Sequence, residues 1–389
     1  MRAEAIGRIR LRVSPTRVKG WLWQGLLLCC VGAAVWFFAQ NATDNLTRKN
    51  LHFGLDFLDR IAGFDIPFRL IAWTVTDTYG RALLVSFLNS LLIAFLCVIA
   101  STFLGLLLGL LRLSANWLAR NVAMGIIELV RNTPQLVQIF FFYLAVLQSL
   151  PPARAGYNFN NAVFLNIRGL FLPSPVLGDA FETTALGFLA AIVLGVVVWR
   201  LRLRVTGASR FGLGAIALAL PFVVLIAGGL AGAVVDVNYP VLRGFNFQGG
   251  VQIPSELVAL WVGLSVYSSA FIAEIVRGAM EGIAYGQTEA SLSLGLSRWQ
   301  TLRLVVLPQA LRIIVPPVTS QYLNVIKSSS LGAGIAYPEL FQIFAGTVLN
   351  QSGRAIECIA IVMTIFLVIN LITSMFMNWY NRAIALKER

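Results

Sequence analysis

The segment LLVSFLNSLLIAFLCVIASTFLGLLLGLL, from Leu83 to Leu111, contains no Asp, Glu, Lys, Arg or His. A helix of roughly 20 apolar residues spans the hydrocarbon core of a bilayer, and this run exceeds that. Inside lipid every backbone N–H and C=O must find a partner within the spanning structure. The run is too long and too unalternating for a barrel strand, so it reads as a transmembrane helix. Similar uncharged blocks lie at Trp21–Gln40, Thr183–Trp199, Phe211–Val235, Leu257–Ala273 and Cys358–Asn370, the last continuing to Arg382. Two more, Asn132–Pro152 and Ile313–Ala336, are apolar but interrupted. The whole chain agrees: 58% of its 389 residues are apolar, 12% are charged, and the mean hydropathy is +0.79. The expected architecture is all-α and integral to the membrane, with about eight spans.

A net charge of +13 invites a nucleic-acid reading, but the positions of the cations oppose it. Arg2, Arg8, Arg10, Arg12, Arg17 and Lys19 precede the first span against Glu4 alone, and Arg200, Arg202, Arg204 and Arg210 follow the fourth. The Asn41–Asp77 segment instead balances its cations with Asp44, Asp56, Asp59, Asp65 and Asp77. Excess Lys and Arg mark cytoplasmic turns, so the N-terminus is expected in the cytoplasm. Eight spans return Arg382, Lys387 and Arg389 to the same side. No nucleic-acid partner is expected. The first apolar run is longer than a signal-peptide core and lacks a small-residue cleavage site after it, so it reads as a retained anchor. Cys29, Cys30, Cys97 and Cys358 all fall within spans, without metal or disulfide spacing, and read as small packing residues.

Five parts follow along the chain. Residues 1–82 comprise a basic start, the anchor and a polar to amphipathic external segment in which Leu51, Phe53, Leu55, Phe57 and Leu58 face the interface. Residues 83–149 and 254–381 form two parts of one core. Residues 150–253 insert two further spans between external stretches rich in Pro, Asn and Gly, and 382–389 form a tail. Between the sixth and seventh spans, about Arg277–Arg312 is the longest expected cytoplasmic segment. There Glu289-Ala290-Ser291 is followed after three residues by Gly295, and after nine more by Val305-Val306-Leu307-Pro308. A helix from near Thr288, a sharp turn or cap at Gly295, and a second short helix capped by Ser297 and ended by Pro308, which begins the next span, are expected. Rimmed by Arg298, Arg303 and Arg312, this unit has the form of a docking knob.

That spacing resembles the EAA signature of ABC importer permeases, whose loop is the coupling helix seated in a cleft of the ATPase subunit. The resemblance implies the type I importer permease fold and coupling roles for Glu289, Ala290, Ser291, Gly295, Leu307 and Pro308. Asn89-Ser90-Leu91-Leu92, the stretch Glu128-Leu-Val-Arg131-Asn-Thr-Pro134, Tyr267–Gly278, Lys327-Ser-Ser-Ser-Leu331 and Pro338-Glu339-Leu340 resemble the polar amino-acid uptake branch of that family. It covers about 83–149 and 254–381. The chain departs from the five-span core by its first span and by the inserted pair, which preserves the orientation of everything downstream. A long form of this kind resembles one permease of a general L-amino-acid importer, in which two unequal permeases pair. The implied partners are an ATPase dimer carrying ATP and Mg, a second permease, a periplasmic amino-acid-binding protein and membrane lipid. The implied location is the bacterial inner membrane.

Ionisable residues inside a bilayer are costly and need a reason. Glu128 and Arg131, and likewise Glu274 and Arg277, are spaced to share one helix face; they read either as ion pairs or as a gate network. Lys327 is expected either to line the translocation pathway with Ser320, Gln321 and Asn324, near a substrate carboxylate, or to pair with Glu339 or Glu357. The Gly105/Gly109 spacing and the cluster Gly228, Gly229 and Gly232 mark close helix approaches, chiefly within the chain. Pro316-Pro317 is expected to break its helix near the start. The sequence contains no G-x-x-x-x-G-K-[ST] phosphate loop, and the single His52 lies outside the spans. The chain is therefore expected to be non-enzymatic, with no cofactor and no metal of its own. A secondary transporter would carry coupling-ion carboxylates deep in its spans and two similar halves; a channel-like protein would have no use for the Glu289–Pro308 loop.

Overall fold

The structure, a computed structural model, describes residues 15–48, 54–201, 208–244 and 246–384. Arg2, Arg8, Arg10, Arg12, Leu51, His52, Phe53, Arg202, Arg204, Lys387 and Arg389 lie outside the described residues. Helix α1 (Pro15–Arg48) buries none of its apolar window against the chain. Cys29 and Cys30 are accordingly exposed on it rather than packed, unlike the buried Cys97 and Cys358.

Residues 56–78 fold back onto the bundle instead of lying flat at an interface. Ala62 N donates to Asp77 O at 2.8 Å and Gly63 N to Val75 O at 3.0 Å, closing the segment on itself. Phe57, expected at the interface, is buried with Ile66 and Trp73 in a cluster that includes Tyr79, Leu340 and Phe344. Among the described residues of that group, Leu55 is 56% exposed and Leu58 is half-buried. Helix α2 (Tyr79–Arg112) starts at Thr78, whose side chain accepts from Arg81 N. It is followed by α3 (Trp117–Arg131), an amphipathic helix capped by Asn116.

Among the described residues seven helices are long and apolar enough to cross a membrane. The expected eighth, over Asn132–Pro152, is a shorter apolar helix, Gln135–Leu147. Pro134 precedes it and Pro151-Pro152 lie just beyond it, which limits its length. Its first part is α4 (Gln135–Phe140), and Phe141–Leu147 continues in the wider π geometry.

The external stretches around the inserted spans contain short strands, which the all-α expectation did not include. In chain order these are β1 (Tyr157–Phe159), β2 (Val163–Asn166), β3 (Gly169–Leu172) and β4 (Ser174–Leu177). After helices α5 (Phe181–Leu201) and α6 (Ala208–Leu230) come β5 (Val234–Asn238), β6 (Val241–Arg243), β7 (Asn246–Gln248) and β8 (Val251–Ile253). A four-stranded antiparallel sheet in the order β1-β2-β3-β8 ties the two ends of the insertion together. Gly169, at φ +116°, sits where any Cβ would collide with Ile253 O. Between β3 and β8, β4 pairs with β5 at the base of the α5–α6 hairpin. That hairpin packs chiefly on itself, and a Cβ on Gly228 would collide with Thr184.

The centre of the molecule is α7 (Ser255–Glu281), more than half of whose apolar window is buried. It packs most extensively against α2. A Cβ on Gly105 would lie 2.6 Å from Ile272 Cβ, and one on Gly109 2.9 Å from Val276 Cβ. The glycine spacing thus lets two helices of the same chain touch.

Beyond α7 come α8 (Tyr285–Ser293) and α9 (Arg298–Thr301), then a π turn over Leu302–Val306 and α10 (Leu307–Ser328). Pro308, expected to end the short helix and begin the next span, does begin α10, but the preceding turns run into it without a break. Pro308 occupies the first turn of α10, where a missing N–H is least costly, and the preceding π turn absorbs the misfit. Pro316 and Pro317 also lie inside α10 without breaking it. A short 3₁₀ segment, Ser329–Ile335, and a π turn, Gln342–Val348, lead to α11 (Leu349–Ser352) and α12 (Ala355–Ile384).

Candidate functional site

The loop at one end of α7 is a built structure. Helix α8 begins at Tyr285, a turn earlier than the sequence suggests. Its C-terminus closes on Gly295, which sits at φ +81° with open space around it. Only glycine adopts that backbone without strain. Leu296 N reaches back to Ser291 O at 3.2 Å and Gly295 N to Leu292 O at 2.9 Å. Ser297 then caps α9 in a full capping box with Gln300. Across the turn, Ser291 Oγ and Thr301 Oγ1 form a buried hydrogen bond of 3.1 Å. Thr301 was not singled out by the sequence motif, yet it pins the two helices together. Large apolar side chains are exposed on the outer surface, Leu294 at 83%, Tyr285 at 73% and Trp299 at 67%, among exposed polar residues such as Gln287, Ser293 and Arg298. Glu289, Ala290, Leu307 and Pro308 are exposed beside them.

A polar cleft of about 240 Å³ lies between α7, α10 and the start of α4. It brings together three of the four expected pathway residues, Gln321, Asn324 and Lys327, with Tyr267, Ser268 and Gln135. Ser320, the fourth, is exposed one turn before Asn324 on α10 but does not line this cleft. Lys327 sits in the last turn of α10, where the carbonyl end of the helix favours a cation. It also borders an apolar groove of about 850 Å³ between α10 and α12. Among the described residues no ion pair joins Lys327 to Glu339 or Glu357. Glu339 is buried and accepts the backbone N–H groups of Phe341 and Gln342 at 2.8 and 2.7 Å. Glu357 is engaged by Arg354 at 3.2 Å.

The two expected ion pairs behave differently. Arg277 binds Glu274, with Nε to Oε1 at 2.9 Å, and also pairs with Glu281. Glu128 and Arg131 do not pair with each other among the described residues. Glu128 instead accepts from Asn132 Nδ2 at 3.3 Å, and the Arg131 guanidinium lies 5.4 Å from the centre of the Phe271 ring. Phe271 contacts Tyr267, with centroids 4.9 Å apart, and both rings line the Lys327 cleft. Arg131 is therefore linked to that cleft through an aromatic pair that the charge spacing alone did not reveal.

A second clasp joins residues far apart in sequence. Asn89 Nδ2 donates to Phe68 O and to Pro338 O, each at 2.9 Å. Leu340 N donates to Ser90 Oγ at 2.9 Å, and Tyr337 OH to Asn89 O at 3.2 Å. The Asn-Ser pair of α2 and the Pro-Glu-Leu turn are thus two halves of one contact. Burial pushes the Glu339 carboxyl up to about 7, against the pull of the Phe341 and Gln342 amides. Among the described residues no group of three or more His, Cys, Asp or Glu could hold a metal ion.

Comparison with known proteins fits this arrangement. Residues 212–386 match the family described as the binding-protein-dependent transport system inner membrane component. YhdX of Escherichia coli K12, provisionally named an amino-acid ABC transporter permease, is 48% identical, with 97% of this chain and 96% of YhdX covered. The general L-amino acid transport system permease AapQ of Rhizobium johnstonii is 40% identical, over 94% of this chain and 92% of AapQ. BztB of Rhodobacter capsulatus, from a glutamate/glutamine/aspartate/asparagine transport system, is 34% identical over 98% and 97%. With relatives matched at this identity along nearly their whole length, the chain belongs to the amino-acid ABC transporter permeases and is a permease subunit of an importer of that class.

Proposed function

We propose that this permease carries L-amino acids of polar or broad range across the bacterial inner membrane, driven by a separate ATPase that docks on the Tyr285–Pro308 loop. The observation that carries this reading is the exposed apolar tip, Leu294, Tyr285 and Trp299, held rigid by the Gly295 turn and the Ser291–Thr301 bond. A loop exposed only to water would have no reason to leave three large apolar side chains uncovered. ATP and Mg belong to the partner, and this chain performs no catalysis. A second permease, related but different, completes the pathway, and a periplasmic binding protein delivers the amino acid. With Gln135–Leu147 counted as a short crossing, both termini are cytoplasmic. Nucleotide-driven closure of the ATPase pair would push the loop and reorient the helices around the Lys327 cleft. The names of AapQ and BztB, which point to general and acidic or amide amino acids, favour the substrate range.

The test is co-purification of the complex with paired uptake measurements. Gly295→Asp, which forces a side chain into the left-handed conformation, and Leu294→Ser, which alters only an exposed side chain, should each weaken ATPase retention and lower uptake at least tenfold. Normal retention and uptake in both variants would overturn the docking assignment. Uptake that survives ATP depletion but not a protonophore would instead favour a secondary transporter.

A further inference from the structure

Helix α7 runs towards the Gly295 loop and α10 runs away from it, so Phe271, the last residue of α7 to line the polar cleft, stands on its loop side. The Phe271 ring rests on Tyr267, and the Arg131 guanidinium, 5.4 Å from its centre, is within the range at which an aromatic face holds a cation. Arg131 itself does not line the cleft. Its backbone is fixed, because Gln138 Nε2 donates to Val130 O at 2.8 Å and to Thr133 O at 3.1 Å and clamps the turn between α3 and α4. The α7 side is fixed too, since Ser255 Oγ donates to Ile167 O at 3.0 Å and ties the helix to the sheet.

One turn nearer the loop, on the same face of α7, is Glu274. Its Oε1 accepts both bonds from Arg277, from Nε at 2.9 Å and from Nη2, while its Oε2 accepts none among the described residues. Arg131 is near enough for its charge to act on that carboxylate. Three residues of helix rise about 4.5 Å, which a long arginine side chain covers by changing rotamer while both backbones stay in place. We propose that Arg131 is a positioning residue for transport, which holds Phe271 as a lid on the loop side of the cleft and releases it by passing to the free oxygen of Glu274. The proposal rests on the importer reading above. With Arg131 over the ring, Phe271 and Tyr267 separate the cleft from the loop side; with Arg131 on Glu274, the ring loses its cation and turns aside. Both berths suit a cation, so neither state strands the charge in a weakly polar setting.

The experiment uses the complete transporter, with its ATPase and second permease, in inside-out vesicles where the loop faces the reagent. The parent carries Ser268→Cys as a reporter in the cleft, with Cys29→Ala and Cys30→Ala to remove the exposed thiols. Arg131→Gln and Phe271→Leu should each speed maleimide labelling of the reporter at least tenfold and lower the amino acid moved per ATP hydrolysed. Arg131→Lys and Phe271→Tyr, which keep the cation and the ring, should stay close to the parent. Glu274→Gln, which removes the second berth, should lower uptake without speeding the labelling. Parent labelling rates in both Arg131→Gln and Phe271→Leu, or equal rates in Arg131→Lys and Arg131→Gln, overturn the lid. Parent uptake in Glu274→Gln overturns the exchange. Loss of ATPase retention in both lid variants would place the pair in the scaffold and also overturn the proposal. ATP-driven uptake by the wild type, measured alongside, separates these failures from failure of the importer reading, which would abolish that uptake as well.

Discussion

Single residues carry the transport hypothesis at two points. Lys327 lines both the polar cleft and the α10–α12 groove and sits in the last turn of α10, where the carbonyl end of a helix favours a cation. Lys327→Met should therefore leave the complex assembled but lower uptake severalfold, measured in proteoliposomes; wild-type uptake would remove Lys327 from the pathway. Thr301→Val deletes the buried bond to Ser291 and should cost about 1 kcal/mol of local stability, read as faster proteolysis of the loop. Glu339 gives a pH signature. Its carboxyl is raised by burial, so the stability it permits is fullest below the ordinary carboxylate range and is lost as pH rises towards about 7. Relative to Glu339→Gln, the wild type should lose thermal stability between pH 5 and pH 8. The sequence points to Lys327 and Gly295 through local signals, charge in lipid and a glycine between helices, and to Ser291 only through the family motif. Thr301, and the seating of Arg131 on Phe271, arise only when separate turns meet.

Whole elements were legible where hydropathy speaks and obscure where pairing is distant. The long helices follow from uncharged runs, and the Gly105/Gly109 spacing pointed to a close approach that α7 fills. Gly109→Leu should cost about 1–3 kcal/mol through overpacking against Val276, seen as a lower yield of folded complex. Gly125→Ala, on α3 with open space around it, should be tolerated and serves as the control. The strands were missed because each is only three to five residues long, and β3 finds β8 only across the inserted helix pair. Of the prolines, Pro308 begins the next span as expected, whereas Pro316-Pro317 do not break it. Pro308 lies behind a π turn that runs into α10, and Pro316-Pro317 are accommodated within the helix.

For the whole molecule, the α5–α6 hairpin is an appendage on a core that closes without it. Gly178 N already bonds Ala233 O at 3.1 Å across its base, and β4 pairs with β5 there. Replacing residues 179–232 with an Asn-Gly turn should keep ATPase retention at the wild-type level, because two spans leave together and the orientation of α7 is unchanged. Loss of the ATPase from that variant would show that the hairpin is part of the core.

The seam between the sheet and α7 also has a mechanical meaning. Helix α7 has 27 residues and no proline, so it is a rod of about 40 Å. One end is fastened to the sheet by the Ser255–Ile167 bond, and the other leads through α8 to the Gly295 turn. A torque applied to the sheet by anything that settles on it would be delivered, with little bending on the way, to the opposite face of the membrane.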